Sequence, residues 1–439
     1  MQDDRRNKVI IMGAAGRDFH NFNVIFRNDP LTRVVAFTAA QIPDIAGRTY
    51  PPVLSGPLYP NGIPIVAESE LLSLIKRDRL NWVYFSYSDV SHQDVMHTAS
   101  TVLAAGANFA FLAPESTAIA PSKPVISVCA VRTGVGKSSA TCRIARFFLE
   151  RRRQVSVIRH PMPYGDLEAQ RVQRFGEMND LERLEATIEE REEYEPLLQM
   201  DITVFAGVDY HAILHRAEVD ADLIIWDGGN NDLPFVRPDL PVVLVGPHRP
   251  GDETSYHPGE ANLRMADLVI INKVDSATPD QLAQVQAGVE SVAKANVPLI
   301  LADSVLTVAD PDQVKGKRIL VVGDGPTLTH GGMAYGAGTI AARQLGAAEI
   351  VSGRQFAVGS ISDAYDTYPH MESEVPALGY SPEQLADLEA TLNATEAELV
   401  LFATPVDLDQ LVSVNKPLVA VAYELEERGG ELEIGRAHV

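Results

Sequence analysis

A glycine-containing turn followed by lysine and serine is the stretch of this sequence best suited to chemistry on phosphate. It reads Thr133-Gly134-Val135-Gly136-Lys137-Ser138-Ser139. Glycines let backbone N–H groups surround a polyphosphate, the lysine reaches the β and γ phosphates, and the first serine hydroxyl is placed for Mg²⁺. The stretch therefore predicts a P-loop that binds a nucleoside triphosphate together with Mg²⁺.

The residues around this turn supply the elements that a P-loop needs. A β-branched apolar run, Val125 to Ala130, comes before it, and an amphipathic segment through Leu149 comes after it. The spacing is irregular, because Val131 stands where the usual pattern has its first glycine. In this respect the loop resembles that of dethiobiotin synthetase. Arg132 stands where ParA-type and MinD-type ATPases carry an extra lysine, and a second cation there would stabilise charge during phosphoryl transfer.

An acidic residue at the end of a later strand fits the same chemistry. The apolar run 221–226 ends in Asp227 and two glycines. A carboxylate at a strand end beside a P-loop can hold Mg²⁺. We therefore predict that Ser138 and Asp227 hold the metal, and that Lys137, Arg132 and Asp227 act in catalysis.

A third motif, Asn272-Lys273-Val274-Asp275, follows the strand predicted at 267–271. In GTPases this pattern reads the guanine base, whereas related P-loop enzymes keep the asparagine and use ATP. We expect Asn272, Lys273 and Asp275 to contact the nucleotide, and the identity of the base stays open at this point.

Several loops combine histidine, arginine and glycine in a way that suits a phosphorylated substrate. They follow predicted strands, and ligands bind at the carboxyl edge of a parallel sheet. The candidate substrate residues are Arg17, His20, His160, Tyr164, His248, Arg249 and His330, and Asp166 is a further catalytic candidate.

Composition narrows the classes of protein that fit. The chain has 439 residues and a net charge of −22, from 59 acids against 37 bases. This balance disfavours nucleic acid or an anionic membrane as a partner. No stretch is apolar enough for a membrane span, and a cytoplasmic location is expected. The acidic segment 181–198 is predicted to be a helix with a solvated face.

The alternation of strands and helices predicts an α/β fold in three parts. We expect a Rossmann-like, doubly wound domain at 1–122, a P-loop domain with a mostly parallel sheet at 123–305, and a small α/β lobe at 306–433. The N-terminal turn, Gly13 to Arg17, favours anion binding over NAD. Residues 434–439 match no element and read as a non-native tail.

Taken together, these motifs resemble the cyclic 2,3-diphosphoglycerate synthetase family of P-loop proteins. The resemblance rests on the Arg159 to Leu167 block (Arg-His-Pro-Met-Pro-Tyr-Gly-Asp-Leu), on the Gly323 to His330 block (Gly-Asp-Gly-Pro-Thr-Leu-Thr-His), and on the motifs above. It implies a dimeric ligase that uses ATP and Mg²⁺ to close 2,3-diphosphoglycerate into a cyclic pyrophosphate. The segment after Asn415-Lys-Pro lacks the arginines expected for that family, which also allows another phosphorylated acid as substrate.

Two alternatives of other classes remain. One is a P-loop GTPase or metal-delivery switch, which a comparison of ATP with GTP hydrolysis would distinguish. The other is a dinucleotide-dependent oxidoreductase built on the N-terminal domain, which failure to bind NAD(P)H would exclude.

Overall fold

The fold is known from a computed structural model, which describes residues 6–40, 45–160, 165–229, 232–329, 331–378, 381–404, 408 and 411–429. Two large sheets organise it, one in the N-terminal lobe and one that runs through the rest of the chain. No helix in these described ranges is long and apolar enough to cross a membrane.

Short strands and helices alternate in the N-terminal lobe. Its elements are β1 (Asn7–Met12), α1 (Arg17–Asn21), β2 (Thr32–Ala39), β3 (Thr49–Tyr50), α2 (Pro52–Ser55), β4 (Ile63–Ala67), α3 (Leu71–Asp78), β5 (Trp82–Phe85), β6 (Val90–Ser91), α4 (His92–Ala105), β7 (Asn108–Ala110) and α5 (Pro114–Thr117). The sheet order among described residues is β3-β4-β2-β1-β5-β7, parallel except for the β3–β4 pair. An aromatic cluster that includes Phe19, Phe37 and Tyr50 fills the core.

The central part of the chain contains longer buried strands. Its elements are β8 (Val125–Ala130), α6 (Lys137–Glu150), β9 (Val155–Arg159), β10 (Gln173–Phe175), α7 (Asn179–Arg183), α8 (Ile188–Leu198), β11 (Thr203–Ala206), α9 (Tyr210–Asp220), β12 (Leu223–Asp227), β13 (Leu240–Val245), β14 (Tyr256–His257), α10 (Gly259–Met265), β15 (Leu268–Ile271), α11 (Pro279–Val292) and β16 (Leu299–Val308). Strands β11-β9-β12-β8-β13-β15-β16 are parallel neighbours. Apolar cores cover both faces, as a parallel sheet requires.

The C-terminal part continues this sheet. Its elements are β17 (Arg318–Asp324), α12 (Gly325–Leu328), α13 (Ala337–Gln344), β18 (Glu349–Val351), α14 (Gly359–Thr367), β19 (Val375–Ala377), α15 (Pro382–Ala394), β20 (Leu399–Ala403) and β21 (Leu418–Glu427). Strand β16 pairs antiparallel with β21, which joins the two parts into one sheet of thirteen strands within the described residues. Strand β16 runs across the boundary predicted at 305/306.

The mixed α/β class with mostly parallel sheets is confirmed. Because the central strands are parallel, their carboxyl ends meet at one edge of the sheet. At this edge lie the P-loop after β8, Arg159 at the end of β9, and Asp227 at the end of β12. The loop after β13 and the motif after β15 reach the same edge, so the fold gathers most of the predicted site residues there.

Candidate active site

Glycine and asparagine together hold the P-loop in shape. Gly134 and Gly136 have φ of 84° and 95°, in the left-handed region that favours glycine. Gly136 is the N-cap of α6, and a Cβ at this position would clash with the side-chain amide of Asn272. Asn272 donates from Nδ2 to the carbonyl of Val135 at 2.9 Å. Asn272, which follows β15, therefore braces the P-loop through the Val135 carbonyl.

The P-loop lysine is held by a buried carboxylate. Asp227 accepts from Lys137 Nζ on Oδ1 and from Arg159 Nη1 on Oδ2. Burial alone would raise the pKa of Asp227, but Arg159 and then Lys137 outweigh it and hold the pKa below its usual value. Arg159 is itself buried and makes a second ion pair with Glu193 of α8. Lys137, Asp227, Arg159 and Glu193 thus form a charge chain of alternating sign.

Arg132, predicted as a second phosphate cation, is paired with acids in this structure. Its Nε lies 2.6 Å from Asp89 Oδ1, and its Nη1 lies 2.6 Å from Asp252 Oδ2. The guanidinium also lies over the ring of Tyr256, 3.7 Å from its centroid. The amide and hydroxyl of Thr133 donate to Asp89 Oδ2 at 3.1 and 2.6 Å. A phosphate therefore has to compete with a carboxylate of the N-terminal lobe for Arg132 and Thr133.

A cavity of about 950 Å³ opens beside the P-loop and is lined by all three parts of the chain. The P-loop side contributes Lys137, Ser138 and Ser139. The N-terminal lobe contributes Arg17, and the C-terminal part contributes Asp324. A cavity of this size accommodates a nucleotide together with a second small molecule.

The acidic helix is arranged differently from the sequence-based prediction. Four glutamates of α8 are buried, namely Glu189, Glu190, Glu192 and Glu195, so the prediction of a solvated face is wrong. The reason is tertiary. Glu193 pairs with the buried Arg159, and Glu190 forms a capping box with Thr187 that starts the helix. Helix α8 therefore packs its acids inward, against the charge chain and the cavity.

Carboxyl groups meet along one part of the cavity wall. Glu192 accepts from the Thr404 hydroxyl and faces Asp324, which accepts from the Thr327 hydroxyl. Burial and then Asp324 raise the pKa of Glu192, and burial raises the pKa of Asp324. For Glu189, burial raises the pKa first, and among the described residues the charges of Glu193, Asp324 and Glu190, all acids, raise it further. We call Glu189, Glu192 and Asp324 the acid wall.

The motif predicted to contact the nucleotide mainly makes contacts within the protein. Asn272 braces the loop as described above, and Lys273 donates from Nζ to the Gly134 carbonyl at 2.7 Å. Asp275 accepts from the Ser304 amide at 2.8 Å. Lys273 and Asp275 border the cavity, so two of the three predicted residues are within its lining.

Of the predicted substrate residues, Arg17, His160 and His248 border the cavity. Arg17 is buried and donates to Thr117 Oγ1 at 2.7 Å. His248 lies 3.2 Å from Ser276 Oγ through Nε2. These three residues remain candidates for contact with a small molecule.

His160 is an uncharged, tightly packed member of the cavity wall. Burial lowers its pKa to about 3, and Arg159 and Lys137 act in the same direction. A Cβ on either Gly16 or Gly229 would clash with the imidazole ring. The two glycines therefore make room for His160, and through it the N-terminal turn contacts the P-loop domain.

Three other predicted residues lie elsewhere among the described parts of the chain. His20 is buried, stacks on Phe235 at 4.3 Å between ring centroids, and serves packing between lobes. Arg249 donates to the Thr133 carbonyl at 2.5 Å and supports the P-loop. Asp166 is exposed and accepts from the Glu168 amide at 2.8 Å, as a turn residue does.

Predicted residues Tyr164 and His330 lie outside the described residues, as does the tail 434–439. The residues that sequence reasoning missed are Arg159, Asp89, Glu189, Glu192 and Asp324. The signal available for α8 was the capping box Thr187-x-x-Glu190, which marks its start. Nothing local indicates that its acids turn inward.

Known synthetases are similar to this chain in sequence. No family model matches the chain. The chain is 54% identical over 429 residues to arginine synthetase ArcE of Thermococcus kodakarensis, covering 98% of this chain and 96% of the relative. It is 22% identical over 214 residues to cyclic 2,3-diphosphoglycerate synthetase of Methanosphaera stadtmanae, covering 48% and 45%. The structure of LpxK from Aquifex aeolicus in complex with ATP superposes with a TM-score of 0.44 at 16% identity, over 76% of this chain and 91% of that one.

The chain is an ATP-dependent P-loop enzyme of the synthetase type. Its P-loop lysine contacts a buried carboxylate, and its relatives are synthetases. The chain belongs to the family of arginine synthetase ArcE. The relationship to cyclic 2,3-diphosphoglycerate synthetase predicted from the motifs is confirmed as a distant one over about half of the chain.

Proposed function

We propose that this enzyme uses ATP to form arginine. The identity of 54% with arginine synthetase ArcE, across nearly the full length of both chains, supports the reaction. The observation that carries the proposal is that the charge chain links the P-loop lysine, through Asp227 and Arg159, to Glu193 of the acidic helix, and that Lys137 and Glu193 border one cavity. A side suited to phosphate and a side suited to a cation would then face the same space, as a reaction that uses ATP and yields the cationic guanidinium of arginine requires.

ATP would bind with its β and γ phosphates on the P-loop. Lys137 would exchange its contact with Asp227 for the phosphates, and the P-loop amides would surround them. Ser138, at the start of α6, and the released oxygen of Asp227 are the residues that would hold Mg²⁺. The hydroxyl and carboxylate oxygens are donors that Mg²⁺ prefers, and the bound ion would offset phosphate charge.

The chemistry follows from the difference between arginine and its simplest neutral precursor. A ureido group carries oxygen where the guanidinium carries its third nitrogen. Transfer of the γ phosphoryl group to that oxygen would release ADP and convert the oxygen into a leaving group. Attack of ammonia on the carbon would then form the C–N bond, and the C–O bond would break with release of phosphate. The products are arginine with a protonated guanidinium, ADP and phosphate, and one proton is released as well when the nitrogen donor is counted as ammonium.

In this scheme the residues of the site position the reacting groups and stabilise the charge on the phosphoryl group. Lys137 neutralises charge on the phosphoryl group as it moves, and Arg132 is the second cation available if the phosphates displace Asp89. Holding the ureido oxygen in line with the γ phosphate replaces a collision by a positioned reaction. Asp227 serves by holding Lys137 before ATP arrives and Arg159 throughout.

A second candidate reaction is the ATP-dependent closure of 2,3-diphosphoglycerate into its cyclic pyrophosphate. The distant relative of that name and the Gly323 to Leu328 block favour it. It would place a second polyanion next to the acid wall, where like charges repel. The electrostatics of the cavity therefore support the arginine reaction over this one.

One assay separates the two candidates. Purified protein is incubated with MgATP, ammonium and a ureido amino acid, and in parallel with MgATP and 2,3-diphosphoglycerate. Amino-acid analysis follows arginine, and phosphorus NMR follows ADP, phosphate and any cyclic pyrophosphate. We expect arginine and phosphate in equal amounts in the first mixture. ATP cleavage only in the second mixture would replace the proposal by the cyclisation reaction.

The nucleotide and the assembly are tested separately. Replacement of ATP by GTP in the first mixture measures base preference, and we expect ATP to be the better substrate. The homodimer implied by the motif resemblance predicts twice the chain mass in sedimentation equilibrium. A measured mass equal to that of one chain would contradict the homodimer.

A further inference from the structure

Glu189 is a buried acid on the wall of the cavity. It is only 7% exposed, it borders the cavity, and the charges that act on it come from Glu193, Asp324 and Glu190. A buried carboxylate without a counter-charge is costly, and such groups are kept where a ligand supplies the missing partner.

The arrangement around Glu189 matches one kind of ligand. Glu189 and Glu192 are three residues apart on α8, so they share one helix face, and both border the cavity. Asp324 approaches from the end of β17. Oxygens therefore come from two directions, which suits a flat cation with several N–H donors.

An aromatic ring completes the pocket. Tyr423 of β21 borders the same cavity as the acid wall, and its pKa is raised by burial first and then by Asp324 and Glu192. A guanidinium group is planar and stacks on aromatic faces. Among the described residues, no group of three acids, histidines or cysteines is arranged to hold a metal ion.

We infer that the acid wall, Glu189, Glu192 and Asp324, binds the guanidinium group of arginine. The inference rests on the proposed function and names the residues that recognise its product. The carboxylates would favour a cationic guanidinium over a neutral ureido group, because only the cation offsets their charge. They would therefore distinguish the product side of the reaction from the substrate side.

The position of the wall relative to the P-loop agrees with this assignment. Glu193, one residue beyond Glu192, pairs with Arg159, and Arg159 pairs with Asp227, which holds Lys137. Thr327, the hydroxyl donor to Asp324, lies next to Gly134 of the P-loop. The group that receives the phosphoryl group would thus lie between the acid wall and the phosphates.

The test compares ligands that differ in charge. Isothermal titration calorimetry at saturating ADP measures three probes: arginine, agmatine and L-citrulline, which is the neutral ureido analogue of arginine. The variants are Glu189→Gln and, as a matched control, Glu182→Gln, whose side chain is exposed on the neighbouring helix α7. Circular dichroism and melting establish that each variant is folded.

We expect Glu189→Gln to lower the affinity for arginine and agmatine by about tenfold or more, since the substitution removes a charge-assisted hydrogen bond. The affinity of Glu189→Gln for L-citrulline should change less than threefold. Glu182→Gln should bind all three probes with the affinity of the wild type. Equal losses for arginine and L-citrulline would overturn the inference in favour of a structural role. Unchanged arginine affinity, or a selective rise in the Michaelis constant for ammonium, would also overturn it.

The outcome also separates the inference from the proposed function. If the wild type forms arginine while Glu189→Gln binds arginine normally, the reaction stands and the assignment of the wall fails. If no arginine forms but guanidinium binding depends on Glu189, the wall stands and the reaction fails.

Discussion

Replacement of Arg159 by methionine tests whether the charge chain stabilises the fold as well as the site. Arg159 is fully buried and pairs with Asp227 and Glu193. Methionine keeps most of the length and apolar volume of arginine but supplies no charge. Removal of one partner of a buried ion pair costs about 3–5 kcal/mol, because the other charge is left uncompensated.

The structure places the expected value at the lower end of that range, at about 3 kcal/mol. Asp227 retains Lys137 on its other oxygen, so it does not become isolated. Glu193 has a side chain that is 25% exposed and can be partly hydrated when its cation is removed. Both features reduce the cost without removing it, since Asp227 itself is inaccessible to solvent.

The chain offers a built-in probe for this measurement. It contains two tryptophans, and Trp226 lies next to Asp227 at zero exposure, whereas Trp82 is 38% exposed on β5. In a Trp82→Phe background, urea unfolding followed by fluorescence reports on the sheet around Trp226. The change in unfolding free energy that Arg159→Met causes in this background is the quantity to compare with the expectation.

Arg146 provides the matched control. It pairs with Glu424 at 3.2 Å, and the two side chains are 44% and 61% exposed. Exposed ion pairs contribute about 0–1 kcal/mol, so Arg146→Met should change the unfolding free energy by no more than that. If Arg159→Met is as mild as Arg146→Met, the reasoning that the charge chain stabilises the fold is refuted.

Three further predictions concern the P-loop and its surroundings. Lys137→Ala should abolish ATP cleavage in the phosphate-release assay while leaving the fold intact by circular dichroism, and normal turnover would exclude Lys137 from catalysis. Gly136→Ala should weaken a fluorescent ATP analogue by about tenfold or more in equilibrium titration, because a side chain at φ 95° is strained and clashes with Asn272. Burial lowers the pKa of His160 to about 3, below its value in the unfolded chain. The contribution of His160 to the free energy of unfolding is therefore fully present above about pH 6.5 and is lost as the pH falls toward 3. His160→Gln should therefore show a smaller loss of unfolding free energy between pH 6.5 and pH 4 than the wild type, and identical pH profiles would contradict this.

The parts of the fold that could be predicted are those encoded by local pattern. Apolar runs that end in glycine or a polar residue predict β8, β12 and β15, and parallel strands bring their ends together. Lys137 and Asp227 were assigned from these strand ends, and the structure places them in contact. The positions of Lys137 and Asp227 can be predicted from local sequence and the order of the strands, without knowledge of contacts to distant residues.

The remaining features depend on contacts that span the chain. Arg159 reads as the last residue of a strand, and its role depends on Glu193, which belongs to a helix later in the chain. The burial of α8 depends on contacts with Asp324 at the end of β17 and with Thr404, which follows β20 in the C-terminal part of the sheet. Composition alone favours an exposed acidic helix, because most such helices have no buried cation to pair with.

The contact of Asp89 with the P-loop shows the same dependence. Asp89 comes from the N-terminal lobe, has φ of 55°, and accepts from both the amide and the hydroxyl of Thr133. A non-glycine residue in this backbone region is uncommon and is maintained by its surroundings. If Thr133 donates to phosphate as predicted, ATP would compete with Asp89 for the same donors, and ATP binding would then be coupled to the position of Asp89.

Arg159 connects the P-loop side of the site to the acidic helix. Its guanidinium has one nitrogen on Asp227, which holds the P-loop lysine, and another on Glu193, which belongs to the acidic helix. Because the guanidinium is planar and rigid, it fixes the separation between the two carboxylates that it bridges. The P-loop lysine and the acidic helix that carries Glu189 and Glu192 are thereby held in a defined relation to each other. Under the proposed reaction, such preorganisation keeps the γ phosphate and the acceptor oxygen in line, which is the main requirement of phosphoryl transfer.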